Sequence, residues 1–183
     1  PAACSTVVNL LLLEDADFLD ACHVRLQGRR LQHLREVHRA EVGSTLRVGR
    51  IGGLMGQGQL LQLDAQQAEL RVALDQPPPA KLPVTLVLAL PRPKMLKRTL
   101  QTIAAMGVPR LVLLNSYRVE KSFWQTPFLD AQAIREQLLL GLEQARDTLL
   151  PEVHIEQRFK PFVEDRLPGL AAGTLGLLGH PDR

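Results

Sequence analysis

Cysteine is almost absent from this chain. Cys4 and Cys22 form no CxxC and no metal-ligand spacing, so a disulfide framework is excluded and a reduced, cytosolic setting is expected. No apolar run approaches the roughly 20 residues that span a bilayer, which predicts no membrane partner. The N-terminus carries no basic segment followed by an apolar one and a cleavage site, so secretion is not expected. Catalytic signatures are missing too. There is no GxSxG, and the serines at 5, 44, 116 and 122 have no histidine nearby in sequence, which speaks against a hydrolase triad. No HExxH and no Cys/His cluster points to a metal, and none is expected. No GxGxxG follows a predicted strand, which argues against the nucleotide cofactors of the Rossmann type. Aromatics make up 4% of the residues, with Tyr117, Phe123 and Trp124 close together. They suit base stacking, a buried cluster or a dimer contact, and the sequence leaves the three open.

What is present is an ordinary soluble composition with an unusual distribution of charge. At 183 residues, 45% hydrophobic and 22% charged, the chain has room for one large domain or two small ones. From His23 to Arg50 it carries Arg25, Arg29, Arg30, Arg35, Arg39, Arg47 and Arg50 against Glu36 and Glu41, a local +5. The whole chain is +3, so the remainder is negative. Positive charge gathered in one region is what a polyanion such as nucleic acid requires. A solvated arginine-rich face is the plainer alternative.

Residues 1 to 6 read as a lead-in, and Val7 to Leu13 as a short apolar strand. Arg29 to Arg39 reads as a short helix with Leu31, Leu34 and Val37 on one side. His33 and His38 lie five apart, which does not place two imidazoles on one helical face, so they read as surface or RNA-facing groups. After Gly43 the period changes to two: Leu46 and Val48, then Leu61 and Leu63, then Leu70, Val72 and Leu74. These are strands of a small antiparallel sheet or barrel. Gly49, Gly52, Gly53, Gly56 and Gly58 crowd one connection, which lacks the phosphate-loop pattern and reads as a hairpin. A stiff run, Asp75-Gln76-Pro77-Pro78-Pro79-Ala80-Lys81, follows. It divides the chain into a β-rich basic part, 1–76, a linker, 77–81, and an α/β part, 82–183.

The second part opens on a βαβ unit. Leu82 to Leu90 is almost continuously apolar and predicts a strand covered on both faces. Leu96, Leu100, Ile103 and Ala104 mark about three turns of helix, ended by Gly107 and Pro109. Arg110 to Leu114 is the next strand. Asp130 can cap a helix reaching about Thr148, with Ile134, Leu138, Leu142, Ala145 and Leu149 as its stripe. Val153 and Ile155 mark a strand, residues 161–167 a short helix, and Leu175 to Leu178 a last strand. Four strands alternating with three helices predict a mainly parallel sheet. Arg92, Lys94, Asn115, Ser116, Arg118 and Lys121 fall at its carboxyl edge, where ligands sit in open α/β sheets. Glu143 and Arg146, three apart on a helix, form either a surface ion pair or a device that turns the Arg146 guanidinium toward the strand ends. Lys94, Lys97 and Arg98 have a plainer reading as the solvated face of the preceding helix.

These stretches resemble a known family. GLEQARDTLLPEV is similar to the "EQ..R...PE(V/I)" segment of the bacterial ribosomal RNA small subunit methyltransferase E family, uridine-N3 methyltransferases of the SPOUT superfamily. ALPRPKMLKRTLQTIAAMGVPRLVLLNSYRVEKS resembles that family's strand, basic corner, helix ending in "(L/M)GV", strand and "S.R...S" loop. RRLQHLREVHRAEVGSTLRVG resembles its N-terminal "HHL.(E)V.R...G" segment, part of a PUA-like RNA-binding barrel. The resemblance implies a PUA-like barrel followed by a SPOUT-type α/β domain, S-adenosylmethionine as cofactor, small-subunit ribosomal RNA as partner and a cytoplasmic homodimer. It implies catalytic roles for Arg118, Arg92 and Lys94, with Asn115, Ser116, Lys121, Glu143, Gln144 and Arg146 lining the site. Arg25, Arg29, Arg30, His33, Arg35 and Arg39 would hold RNA phosphates. The family continues into a "GPEGG" loop and an "LG.(R)ILR.ETA" segment that complete a trefoil knot and most of the cofactor pocket. The sequence as written stops at Asp182-Arg183 before both. The knot is therefore expected to be incomplete, the cofactor-binding residues stay unassigned, and weak cofactor binding is expected. A non-catalytic RNA- or ribosome-binding module is the second reading. An α/β enzyme of a small anionic substrate is the third, and it leaves the arginine-rich region unexplained.

Overall fold

The structure, a computed structural model, describes residues 9–36 and 40–179, the side chain of Arg29 excepted. The lead-in, Cys4, the start of the Val7–Leu13 run, Val37, His38, Arg39 and Asp182–Arg183 lie outside the described residues. Two sheets organise the rest. The first holds β1 (Leu11–Leu13), β2 (His23–Gln27), β3 (Thr45–Arg50), β4 (Met55–Leu63) and β5 (Gln67–Gln76), in the order β1-β3-β4-β5-β2. Its pairings are antiparallel except β1 with β3. The period-two pattern appears as burial, with Leu46, Val48, Leu70 and Val72 facing inward and Arg47, Gln57, Gln59 and Arg71 facing water. In β4, however, Leu60 is buried and the expected Leu61 is exposed, because the register shifts between Leu60 and Gln62. α1 (Gly28–Glu36) follows β2 directly and lays Leu31 and Leu34 on this apolar face. Of the clustered glycines only Gly52 and Gly53 lie in the β3–β4 turn; Gly56 and Gly58 belong to β4. Gly56 is there for clearance, because a Cβ would stand 1.7 Å from the Ala73 carbonyl oxygen.

The second sheet is parallel, β6 (Thr85–Ala89), β7 (Arg110–Leu114) and β8 (Glu152–Glu156), with β7 central. α2 (Pro93–Ala105) and α3 (Ala131–Ala145) cover one face. They approach so closely that a Cβ on Gly141 would lie 2.2 Å from the Gln101 carbonyl oxygen. Gln101 donates to Gln137 across the same contact at 2.7 Å. A helical stretch of three parts, Phe159–Pro161, Phe162–Arg166 and Leu167–Ala171, covers the other face, with Phe162 against Val112 and Leu114.

Three further expectations need correction. The Leu82–Leu90 run forms β6, but at the sheet edge, with Leu86 and Val87 each 36% exposed instead of covered on both sides. Its apolar composition suits a buried strand; its position leaves one edge without a ladder among the described residues. Leu175 to Leu178 forms no strand, because it pairs with no described edge, and three of its leucines are more than four-fifths exposed. The described sheet therefore has three strands, not four. α3 ends at Ala145, earlier than Thr148, since Arg146 takes the left-handed conformation at φ 56° and the Asp147 N–H closes on the Leu142 carbonyl.

β1 joins the two sheets. Leu11 and Leu13 enter the core of the first, while Leu10 and Leu12 enter the core under α2 and α3. Leu10 N–H donates to the Glu143 carbonyl at 3.0 Å and Gly52 N–H to the Thr148 carbonyl at 2.8 Å. The Thr148 hydroxyl donates to the Gly53 carbonyl at 2.6 Å. Lys81, just before β6, pairs with the buried Asp147 at 2.6 Å.

Candidate functional site

Parallel strands in register bring their ends to one edge. Ala89 is level with Leu114, and Leu114 with Glu156, so the segments after β6, β7 and β8 emerge side by side. Arg92 and Lys94 start α2, with Pro93 as its first residue. Asn115, Ser116, Arg118 and Lys121 follow β7, and Gln157 and Arg158 follow β8. Arg92, Lys94, Arg118 and Lys121 are exposed and form no ion pair among the described residues. A cationic rim of this kind attracts anions without internal neutralisation.

The loop behind the rim is tied down. Trp124 Nε1 donates to Asn115 Oδ1 at 3.1 Å, which fixes the amide and leaves its N–H groups to point elsewhere. Lys97 lies 4.0 Å from the centre of the Phe128 ring, so it braces the loop instead of serving as a solvated cation. Phe123, Trp124 and Phe128 pack on the main core, whereas Tyr117 is wholly exposed. Of Tyr117, Phe123 and Trp124, two thus pack on the core and one faces water. The orienting role of Trp124 had no sequence signal, because its partner is nine residues away across two turns.

Glu143, Gln144 and Arg146 do not join this rim. A helix linking two parallel strands runs back from the carboxyl edge to the amino edge, so the end of α3 lies where β6 and β8 begin. The Lys81–Asp147 pair and the bond from Glu152 N–H to the Pro109 carbonyl mark that opposite edge. Glu143 instead faces α1, with Oε2 3.7 Å from His33 Nε2. Burial between the two layers raises its carboxyl pKa to about 7.

The arginine-rich region is largely engaged in internal contacts. Arg25 binds Glu69 through Nε at 3.0 Å and a terminal nitrogen at 2.7 Å. Arg30 makes a two-pronged pair with Asp17, which is buried. Arg35 donates to the Asp64 carbonyl. Arg50 joins Asp15 at 2.8 Å and lies over the Phe18 ring. Arg29's side chain and Arg39 lie outside the described residues. Arg47, on the outer face of β3, is exposed.

At the carboxyl end of β8 lies a concavity of about 550 Å³ lined by Ile155, Glu156, Gln157, Arg158, Pro161, Phe162, Asp165 and Arg166. Arg166 pairs with Glu156 on its wall. Its size lies within the range of small-molecule sites. A second, more apolar groove of about 280 Å³ runs between α3 and β8, lined by residues including Leu129, Ile134, Leu138 and Ile155.

Comparison with known proteins adds three findings. A model of the RNA methyltransferase domain matches residues 78–180. Ribosomal RNA small subunit methyltransferase E of Treponema pallidum (strain Nichols) is 25% identical over 157 residues, covering 85% of this chain and 59% of that protein. The chain thus spans about three-fifths of the length of that curated relative. The crystal structure of a ribosomal RNA small subunit methyltransferase E from Neisseria gonorrhoeae, bound to S-adenosyl methionine, superposes with a TM-score of 0.65 at 18% identity. That match covers 86% of this chain and 65% of the other, and the mixed α/β fold is shared.

Proposed function

This chain belongs to the RNA methyltransferase domain family, and from that premise we propose that it methylates small-subunit ribosomal RNA at ring nitrogen 3 of a uridine, with S-adenosylmethionine as donor. The observation that carries the reading is the rim of exposed cations, Arg92, Lys94, Arg118 and Lys121, beside the fixed amide of Asn115 at one end of a parallel sheet. The division at 77–81 separates a PUA-like RNA-holding part from a SPOUT-type catalytic part in this reading. The open edge of β6 and the exposed Leu175, Leu177 and Leu178 are the surfaces that a knotted closure would bring together in this reading. The enzyme acts as a homodimer in the cytoplasm; no helix among the described residues is long and apolar enough to cross a membrane.

The concavity after β8 fits the cofactor in chemistry as well as size. Ile155 and Pro161 offer an apolar wall for a base, and Gln157 and Asp165 offer acceptors for ribose hydroxyls. When bound, the cofactor supplies a methyl group on a positively charged sulfur. The chain's own residues then hold the uracil in line, since positioning dominates such a transfer. The N3 proton of uracil would leave to solvent water, and the ring anion so formed would take the methyl group as the S–CH3 bond breaks and the sulfur departs as a neutral thioether. Arg118, with Arg92 and Lys94 at the adjoining strand end, stabilises that charge. Asn115 and Ser116 hydrogen-bond the ring's carbonyl oxygens. RNA phosphates outside the site meet Arg29, Arg39 and the exposed Arg47, while Arg25, Arg30 and Arg35 shape the surface from their internal pairs.

The test uses the full-length polypeptide, S-adenosylmethionine labelled at the methyl carbon, and small ribosomal subunits from a strain lacking this methylation. Label is expected at N3 of a single uridine, and Arg118→Ala is expected to reduce transfer at least a hundred-fold with ribosome binding retained, on the order of one lost charge-stabilising contact. Binding without any label would favour the non-catalytic module instead.

A further inference from the structure

We propose that Asp20, Cys22 and His23 form a binding site for one divalent transition-metal ion of the zinc type. The three residues occupy the turn entering β2, far along the chain from the rim described above. Their donor atoms, a carboxylate oxygen, the thiol sulfur and the imidazole Nδ1, all lie within 4.8 Å of one another. His23 Nδ1 stands 2.9 Å from Asp20 Oδ2 and 3.0 Å from Oδ1, and 3.4 Å from Cys22 Sγ. Donors on a tetrahedral zinc, about 2.0 to 2.3 Å from the metal, stand about 3.3 Å apart for nitrogen and oxygen and about 3.5 Å for nitrogen and sulfur. The two spacings from the imidazole nitrogen therefore lie within a few tenths of an ångström of those that the ion requires.

The turn is also held in shape. Asp20 Oδ1 accepts the main-chain N–H groups of Cys22 and His23, both at 2.8 Å, which fixes the carboxylate and leaves Oδ2 facing the imidazole. Leu19 N–H donates to the His23 carbonyl at 2.8 Å, and Val72 N–H to the Cys22 carbonyl at 2.7 Å. A carboxylate anchored through one oxygen and presenting the other is the arrangement that supporting hydrogen bonds give to metal ligands.

Two other uses of these residues fit less well. In a cysteine–histidine–carboxylate relay the thiol and the carboxylate meet opposite nitrogens of the ring, so that a proton passes between them. Here both meet Nδ1, where one proton serves only one partner. The thiol is also held above its usual range by the neighbouring carboxylate, which leaves it a poor nucleophile in the metal-free protein. A cation placed among the donors relieves that repulsion. Binding deprotonates Cys22, whose proton leaves to solvent, and leaves the imidazole proton on Nε2. The carboxylate and thiolate balance the ion's two charges, Arg71 sits opposite His23 on β5, and the exposed side of the turn leaves the fourth position to water.

Cobalt(II) titrated into the full chain carrying Cys4→Ser, so that Cys22 is the sole thiol, reads the site directly. One equivalent is expected to produce intense tetrahedral d–d absorption with a thiolate-to-cobalt charge-transfer band, and zinc is expected to displace it. Cys22→Ser should abolish the charge-transfer band and weaken zinc binding by about ten-fold or more. Asp20→Asn keeps the turn's acceptor oxygen and should weaken zinc while leaving the melting temperature of the apo-protein in place. Weak octahedral absorption without charge transfer, or unchanged zinc affinity in either variant, overturns the proposal.

Discussion

β6 and β7 are built from nearly the same residues, Leu86-Val87-Leu88 beside Leu111-Val112-Leu113, and lie next to each other in register. β7 buries Leu111, Val112 and Leu113; β6 leaves Leu86 and Val87 more than one-third open. Composition sets what each strand can tolerate, and place in the sheet sets what it receives. β7 has a ladder on each side, α2 and α3 over one face and Phe162 over the other. β6 has a ladder on one side only among the described residues. An apolar strand with an open edge is an invitation to pairing, and this sheet offers it next to the cationic rim.

That contrast is most severely tested by removing the cover from β7. Phe162→Ala should cost about 4 kcal/mol in urea unfolding, since a fully buried ring leaves a cavity over Val112 and Leu114. A cost below about 1 kcal/mol would mean that the second face is no better covered than β6. Next in size, Leu111→Ala should lose about 3 kcal/mol and Leu86→Ala less than about 1 kcal/mol in the same assay. Equal losses would show that β6 is covered in solution and erase the distinction.

Gly141→Ala probes the layer above β7. Intrinsic helix propensity favours alanine by about 1 kcal/mol, but the added methyl meets the Gln101 carbonyl, so a net loss of about 2 kcal/mol is expected by thermal melting. A gain would mean that the two helices separate freely. The mildest test lies two residues further along α3. Glu143 has a raised carboxyl pKa in the folded state, so the folded chain holds the proton more tightly than the unfolded one. Its contribution is favourable below the ordinary value of 4.5 and is lost as pH rises toward about 7. Glu143→Gln should flatten the pH dependence of stability across that window; an unchanged profile would show that the carboxyl is solvated.

Local signals carried much of this fold. The Gly107–Pro109 stop and the spacing of Leu96, Leu100, Ile103 and Ala104 defined α2, and Arg110 to Leu114 is β7 residue for residue. The end of α3 was illegible because the left-handed position belongs to Arg146, where a glycine would have announced it. β2 is hard to read from sequence because His23, Arg25 and Gln27 interrupt its two buried residues, Val24 and Leu26. The rim cations follow from strand ends, which sequence can place. The fate of Arg25, Arg30 and Arg35 does not, since Glu69, Asp17 and Asp64 become neighbours only through the sheet. Likewise the edge at which Glu143 lies follows from the direction of a helix between two parallel strands, which residue spacing alone does not show.

Leu10 and the three leucines of β1 belong alternately to two interiors. Four identical side chains in a row give no chemical preference for which one faces which way; the main-chain bonds from Leu10 to Glu143 and from Ile51 to Leu13 choose. Peeling this short strand away would vacate both interiors together, so the seam between the two sheets ought to melt as one event and resist a protease as long as either half stands.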